Sequence, residues 1–191
     1  MRQRNIFILL AIFLALGGYF FFFVAPGEPE EQPVPQVFVW DIDMEEIQHI
    51  KIELPREGKS QQFIYLREEG EDKFPWYFDD PQRSAVDSQR WGGGIPLILS
   101  GPGADRVISE NTTQEKLAEF GLTQPQMVIT LTLKTGRILK INIGDSTPDG
   151  KNYYVQAPGT TDVATVDFTW YQVLERLVTD PPYASLSDNQ G

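Results

Sequence analysis

Cysteine is absent from this 191-residue chain. Its absence removes disulfide frameworks, thiolate zinc sites, iron–sulfur clusters, a cysteine nucleophile and a lipid-modified cysteine. Histidine occurs once, as His49. A multi-histidine metal site and a c-type haem motif are therefore excluded, and a serine triad would have to use that one imidazole. Basic residues are scarce: 16 Lys and Arg stand against 27 Asp and Glu, for a net charge of −11. Nucleic-acid binding rests on clustered Lys and Arg, so no nucleic-acid partner is expected.

The remaining chemical motifs are weak. Gly92, Gly93 and Gly94 are followed by Ile95 and Pro96, where a phosphate loop needs Lys and Ser/Thr. The run from Asp145 to Gly150 lacks the spacing of a calcium loop and reads as a turn. Asp79 and Asp80 precede Pro81 and also read as a turn rather than an acid–base pair. His49 alternates outward on its strand and reads as a solvated side chain. The expectation is a protein that is not an enzyme, with no cofactor and no metal.

What the chain does have is an apolar run. Residues 6–25 carry no charge, and about 20 residues of helix cross a bilayer core of about 30 Å. The sequence therefore predicts a transmembrane anchor through Ile6, Leu9, Leu10, Phe13, Leu14, Gly17, Gly18, Phe21 and Phe22. Gly17 and Gly18 read either as a close-packing pair or as chance small residues in a lone anchor. Arg2 and Arg4 before the run, and Glu28, Glu30 and Glu31 after it, orient residues 1–5 to the cytoplasm and the rest outward. The expected localisation is a bacterial inner membrane, crossed once. Residues 26–36 hold four prolines and three glutamates and read as an extended stalk.

Residues 37–181 read as an extracytoplasmic α+β domain, followed by a polar tail at 182–191. Ile50, Ile52 and Leu54 alternate with polar neighbours, as in a half-buried strand, with a hairpin partner at 63–66. Trp76–Phe78 makes a third strand, and residues 84–100 a helix interrupted by Gly92–Gly94 and Pro96. The pattern repeats with strands near 127–133, 138–143, 153–156 and 163–166. A last helix follows, capped by Asp167, with a stripe of Trp170, Val173, Leu174 and Leu177. The predicted fold is thus an N-terminal transmembrane helix plus an antiparallel sheet with two or three helices, arranged as two ββ(β)α half-repeats. Between the halves, Thr112 and Glu115 suit a capping box, and Gly121, Leu122 and Pro125 suit a helix stop.

Phe120-Gly121-Leu122-Thr123-Gln124-Pro125, followed by a hairpin, Ile143-Gly144 and Tyr153-Tyr154, is the strongest recognisable string. With Trp76 upstream, it resembles a large bacterial domain of unknown function whose pattern is "YGL-x-x-P", an "I-G" strand end and a tyrosine strand. Members of that family typically follow one membrane helix, and some are similar to auxiliary subunits of gliding-type ABC transport systems. The resemblance implies a fold over roughly residues 40–180 and carries no catalytic residues. Phe120 departs from the usual tyrosine. The glycine-rich stretch at 91–99 departs from a regular helix.

That stretch has two readings. Trp91, Ile95, Leu97, Ile98 and Leu99 form part of the core or an apolar patch that docks a partner. The expected function is a non-catalytic accessory subunit of a membrane-protein complex, respiratory, photosynthetic or transport-related, with the bilayer and other integral subunits as partners. The alternatives are a binding module for peptide, glycan or lipid and an auxiliary component of an ABC system. The binding module requires a concave aromatic pocket, for which Trp76, Tyr153 and Tyr154 are the candidates.

Overall fold

The structure is a computed structural model that describes residues 2–19, 38–67, 74–92, 94–104 and 106–184. The chain divides into two units, Met1–Gln36 and Val37–Gly191. The first contains helix α1, Arg2–Tyr19. Among the described residues no helix is long and apolar enough to cross a membrane, which overturns the expected transmembrane segment. The 18 described residues of α1 extend about 27 Å, and the Arg-Gln-Arg-Asn start leaves a described apolar part of about 21 Å against a core of about 30 Å. Ile6, Leu9, Leu10, Phe13, Leu14, Gly17 and Gly18 lie on this short helix, while Phe21 and Phe22, with the rest of 20–25 and the 26–36 stalk, fall outside the described residues.

The second unit is built on one eight-stranded antiparallel sheet. Its strands are β1 (Ile47–Leu54), β2 (Lys59–Tyr65), β3 (Trp76–Phe78), β4 (Arg106–Ser109), β5 (Met127–Leu133), β6 (Ile138–Ser146), β7 (Asn152–Gln156) and β8 (Val163–Asp167). Their order is β3-β2-β1-β5-β6-β7-β8-β4. The two hairpins meet at the centre, where Ile50 faces Leu131 and Ile52 faces Ile129. Two equal half-repeats are not found. The first hairpin is followed by two short helices, α2 (Ser88–Trp91) and α3 (Ile95–Ser100), whereas the second gains an extra strand before the 12-residue α5 (Phe168–Thr179). Strand β4, which the sequence did not announce, pairs with β8 at the far edge.

One face of the sheet carries the main core. Phe63, Ile50, Ile52, Leu131, Ile141, Ile143 and Val155 alternate inward from successive strands and meet α3 and α5. Helix α5 packs on β1 and β2 and also on β7 and β8. It is about 18 Å long, while β2 and β8 are five strand spacings, about 24 Å, apart in a flat sheet. The buried stripe of α5 is Tyr171, Leu174, Leu177 and Val178: Leu174 and Leu177 are buried as expected, and Tyr171 and Val178 take the places expected of Trp170 and Val173. Val173 faces outward, Tyr171 stacks on Tyr153 at 3.9 Å, and Trp170 stands at the margin. There the Trp170 indole N–H donates to the Ile98 carbonyl at 2.9 Å, and the Trp40 indole N–H donates to Leu99 at 2.9 Å. Two tryptophans thus satisfy the last carbonyls of α3, which no helix can satisfy internally.

The other face carries a smaller apolar cluster under α4, Gln114–Glu119. Its cap is Thr113, whose hydroxyl accepts from the Lys116 N–H, rather than the expected Thr112, which is buried. The helix ends with two backbone bonds, Leu122 N–H to Leu117 O at 2.8 Å and Gly121 N–H to Ala118 O at 3.0 Å. Gly121 sits at φ +72°, the left-handed position that this closure needs. The turn then locks onto β6. The Asp145 N–H donates to Phe120 O at 2.8 Å, and a Cβ on Gly144 would lie 2.0 Å from that same oxygen.

Candidate ligand-binding cleft

A cleft of about 780 Å³ opens where β1 begins and β2 ends. Its near wall is a single 3₁₀ turn, Met44–Glu46. Asp43 caps that turn by accepting from the Glu45 N–H at 2.8 Å, and the Lys134 N–H donates to Glu46 O at 2.8 Å. The second bond ties the start of β1 to the end of β5. The register of β1 against β5 slips between Ile47 and His49. Ile47 and Gln48, on either side of that slip, both line the cleft. The far wall is Tyr65 of β2, cross-strand partner of Trp76 in β3, with ring centroids 5.5 Å apart at 74°. Leu66 continues from Tyr65 and is held by its N–H to Pro75 O at 2.8 Å. Pro96, in the first turn of α3, also lines the cleft.

The lining combines an apolar floor with charge at the rim. Trp76 is only 4% exposed and its flat face is taken, stacked on Trp91 at 5.4 Å. Met44 and Leu66, by contrast, are 45% and 41% exposed. The ammonium of Lys134 lies 5.7 Å from the Tyr65 ring centroid, within range of a cation–π attraction. Arg67 stands at the same mouth. Neither Lys134 nor Arg67 has a carboxylate partner among the described residues. Among the described residues Glu45 is the one acid in the lining, against these two cations, and the lining has no histidine and no serine or threonine. The arrangement is suited to holding a molecule by apolar contact and charge.

The residues singled out from sequence are dispersed. Of the expected docking stretch, Trp91, Ile95 and Leu99 are buried in the main core. Leu97 is 60% exposed, and Ile98 is half-buried beside α5, in a smaller cleft of about 290 Å³. Of the three aromatic candidates, only Trp76 reaches the large cleft. Tyr153 stacks against Tyr171, where burial and the Glu175 carboxylate raise its pKa, and Tyr154 stacks on Phe120 at 4.4 Å on the opposite face.

His49 is not simply solvated. Its Nε2 lies 3.0 Å from Asp79 Oδ2, and the guanidinium of Arg83 pairs with the other oxygen of that carboxylate. Burial of the ring, then Arg83, then Lys51, lower its pKa and favour neutral imidazole. Asp80 instead accepts from the Ser84 N–H at 2.9 Å and holds the turn. Among the described residues no group of three His, Asp or Glu side chains could hold a metal ion. Lys134, Arg67 and Tyr65 had no local signal, since the cleft gathers them from separate hairpins.

The turn-to-strand lock between Phe120-Gly121-Leu122 and Gly144 gives the sequence string its physical meaning: a backbone approach too close for any side chain on residue 144. Residues 98–180 match the family model described as domain of unknown function (DUF4340). The DUF4340 match therefore takes in β4 to β8, α4 and α5, and leaves out β1 to β3. Of the cleft lining it includes Lys134 alone. No curated protein and no solved structure matches the chain.

Proposed function

We propose that the second unit is a non-catalytic binding module, and that its ligand enters the cleft between the Met44–Glu46 turn and the β2–β3 end. The observation that carries this reading is the cleft itself: about 780 Å³, within the range of small-molecule sites, with an apolar floor and a few polar groups at its rim. Among the ligand classes open at the outset, a glycan fits least, because sugars stack on open aromatic faces and that of Trp76 is already covered. The test uses Nile red, an uncharged apolar dye, with the full chain. Saturable one-site binding that is lost in a Met44→Asp/Leu66→Asp double variant supports the reading. Dye binding that survives both substitutions, for instance on the apolar face of α1, refutes it. A role as a subunit of a larger assembly is compatible with such a module, the ligand then being carried within that assembly.

A further inference from the structure

The charge at the mouth narrows the ligand, if the cleft is the binding site as proposed above. We infer that the cleft takes an anionic amphiphile, a molecule with a flexible apolar body and a carboxylate or phosphate at one end. Three observations support this assignment. First, Met44 and Leu66 leave large apolar surface in water at the rim, above a floor of Ile47 and Trp76. An apolar body lying between them removes that surface from water, at about 25 cal/mol for each Å². Second, Lys134 has no carboxylate partner among the described residues. Its backbone is tied to Glu46 at 2.8 Å and its ammonium lies 5.7 Å from the Tyr65 ring centroid, so the charge stands at the mouth of the cleft. Third, Arg67 adds a second cation at the same opening, without a carboxylate partner among the described residues, in a chain whose net charge is −11. A cationic mouth on an acidic protein selects the sign of its ligand, because the rest of the surface repels anions and the mouth attracts them.

The experiment compares decanoate, decyl phosphate, decanol and decyltrimethylammonium, each below its micelle concentration. Binding to the full chain is followed by tryptophan fluorescence and by calorimetry at low and high salt. The expected result is one-site binding of decanoate and decyl phosphate, at least about tenfold tighter than decanol, weakening with salt. Lys134→Glu and Arg67→Glu each weaken decanoate by about tenfold or more, while Lys134→Arg retains it. Both side chains are at the rim, and unchanged thermal melts confirm that the variants fold. Decyl phosphate binding well and decanoate poorly assigns the head to phosphate, and the reverse assigns it to carboxylate. Equal binding of decanol, or decanoate binding that survives both charge reversals, overturns the inference. If decanol binds equally and Leu66→Asp abolishes it, the cleft remains a binding site and only its anion selectivity falls. If no probe binds and Nile red also fails, both readings fall together.

Discussion

The lock between the Phe120–Leu122 turn and β6 makes a sharp prediction for Gly144→Ala. The added methyl carbon would sit 2.0 Å from the Phe120 carbonyl oxygen and 3.1 Å from Leu122 Cγ. A carbon–oxygen contact needs more than 3 Å, so the turn must retreat by about 1 Å or more. Retreat breaks the bond from the Asp145 N–H, now 2.8 Å, which contributes about 1 kcal/mol. It also strains the two bonds that close α4, and forced overpacking costs about 1–3 kcal/mol more. The total is about 2–4 kcal/mol. At about 2–4 °C for each kcal/mol in a domain of this size, Tm should fall by about 4–16 °C. Thermal and urea unfolding of the full chain measure this. The φ of Gly144 is not in the left-handed region, so the effect arises from contact alone. Gly58→Ala is the control: its φ is +65° with open space around the new methyl, and it should cost only about 1–2 kcal/mol from backbone strain. A Gly144→Ala loss below about 0.5 kcal/mol would refute the argument.

Three further outcomes are expected. The folded pKa of His49 lies below its unfolded value of 6.5, so the unfolded chain binds the extra proton as pH falls. Stability should therefore decline from about pH 7 downward, and His49→Gln should flatten that part of the profile in denaturant titrations. An identical slope in the variant would exclude the histidine. Trp40→Phe deprives the Leu99 carbonyl of its indole donor and should destabilise by about 1–3 kcal/mol, measurable by urea midpoint. Leu99→Ala should cost about 2–5 kcal/mol and Leu97→Glu almost nothing, since the first is buried and the second exposed.

Strand period made much of the sheet legible. Ile50, Ile52 and Leu54 alternate inward on β1 as their spacing implies, and Asp167 caps α5 by accepting from the Thr169 N–H at 2.7 Å. Contacts between distant segments were not legible. Tyr171 rather than Trp170 enters the buried stripe of α5, where it stacks on Tyr153, and Trp91 of the 91–99 stretch packs on Trp76 and Phe63. Strand β4 has no period of its own, because it is an edge of four residues that exists through β8. The N-terminal run differs for another reason: of residues 6–25, only 6–19 lie on the described helix, which falls short of a membrane span. The cleft was half visible, through Trp76; its cations come from positions whose sequence neighbours reveal nothing.

Helix α5 is the last regular element among the described residues, and it covers strands from both hairpins. During synthesis the chain emerges from its N-terminal end. The first hairpin leaves the ribosome with Ile50, Ile52 and Phe63 uncovered and must wait for its central partner, β5, and then for α5. A nascent chain halted before Phe168 holds most of the sheet and none of the helix that closes it. The unit therefore completes its core only once α5 has emerged, and its earlier intermediates, with open apolar strands, are the forms that need chaperone protection in a crowded cell.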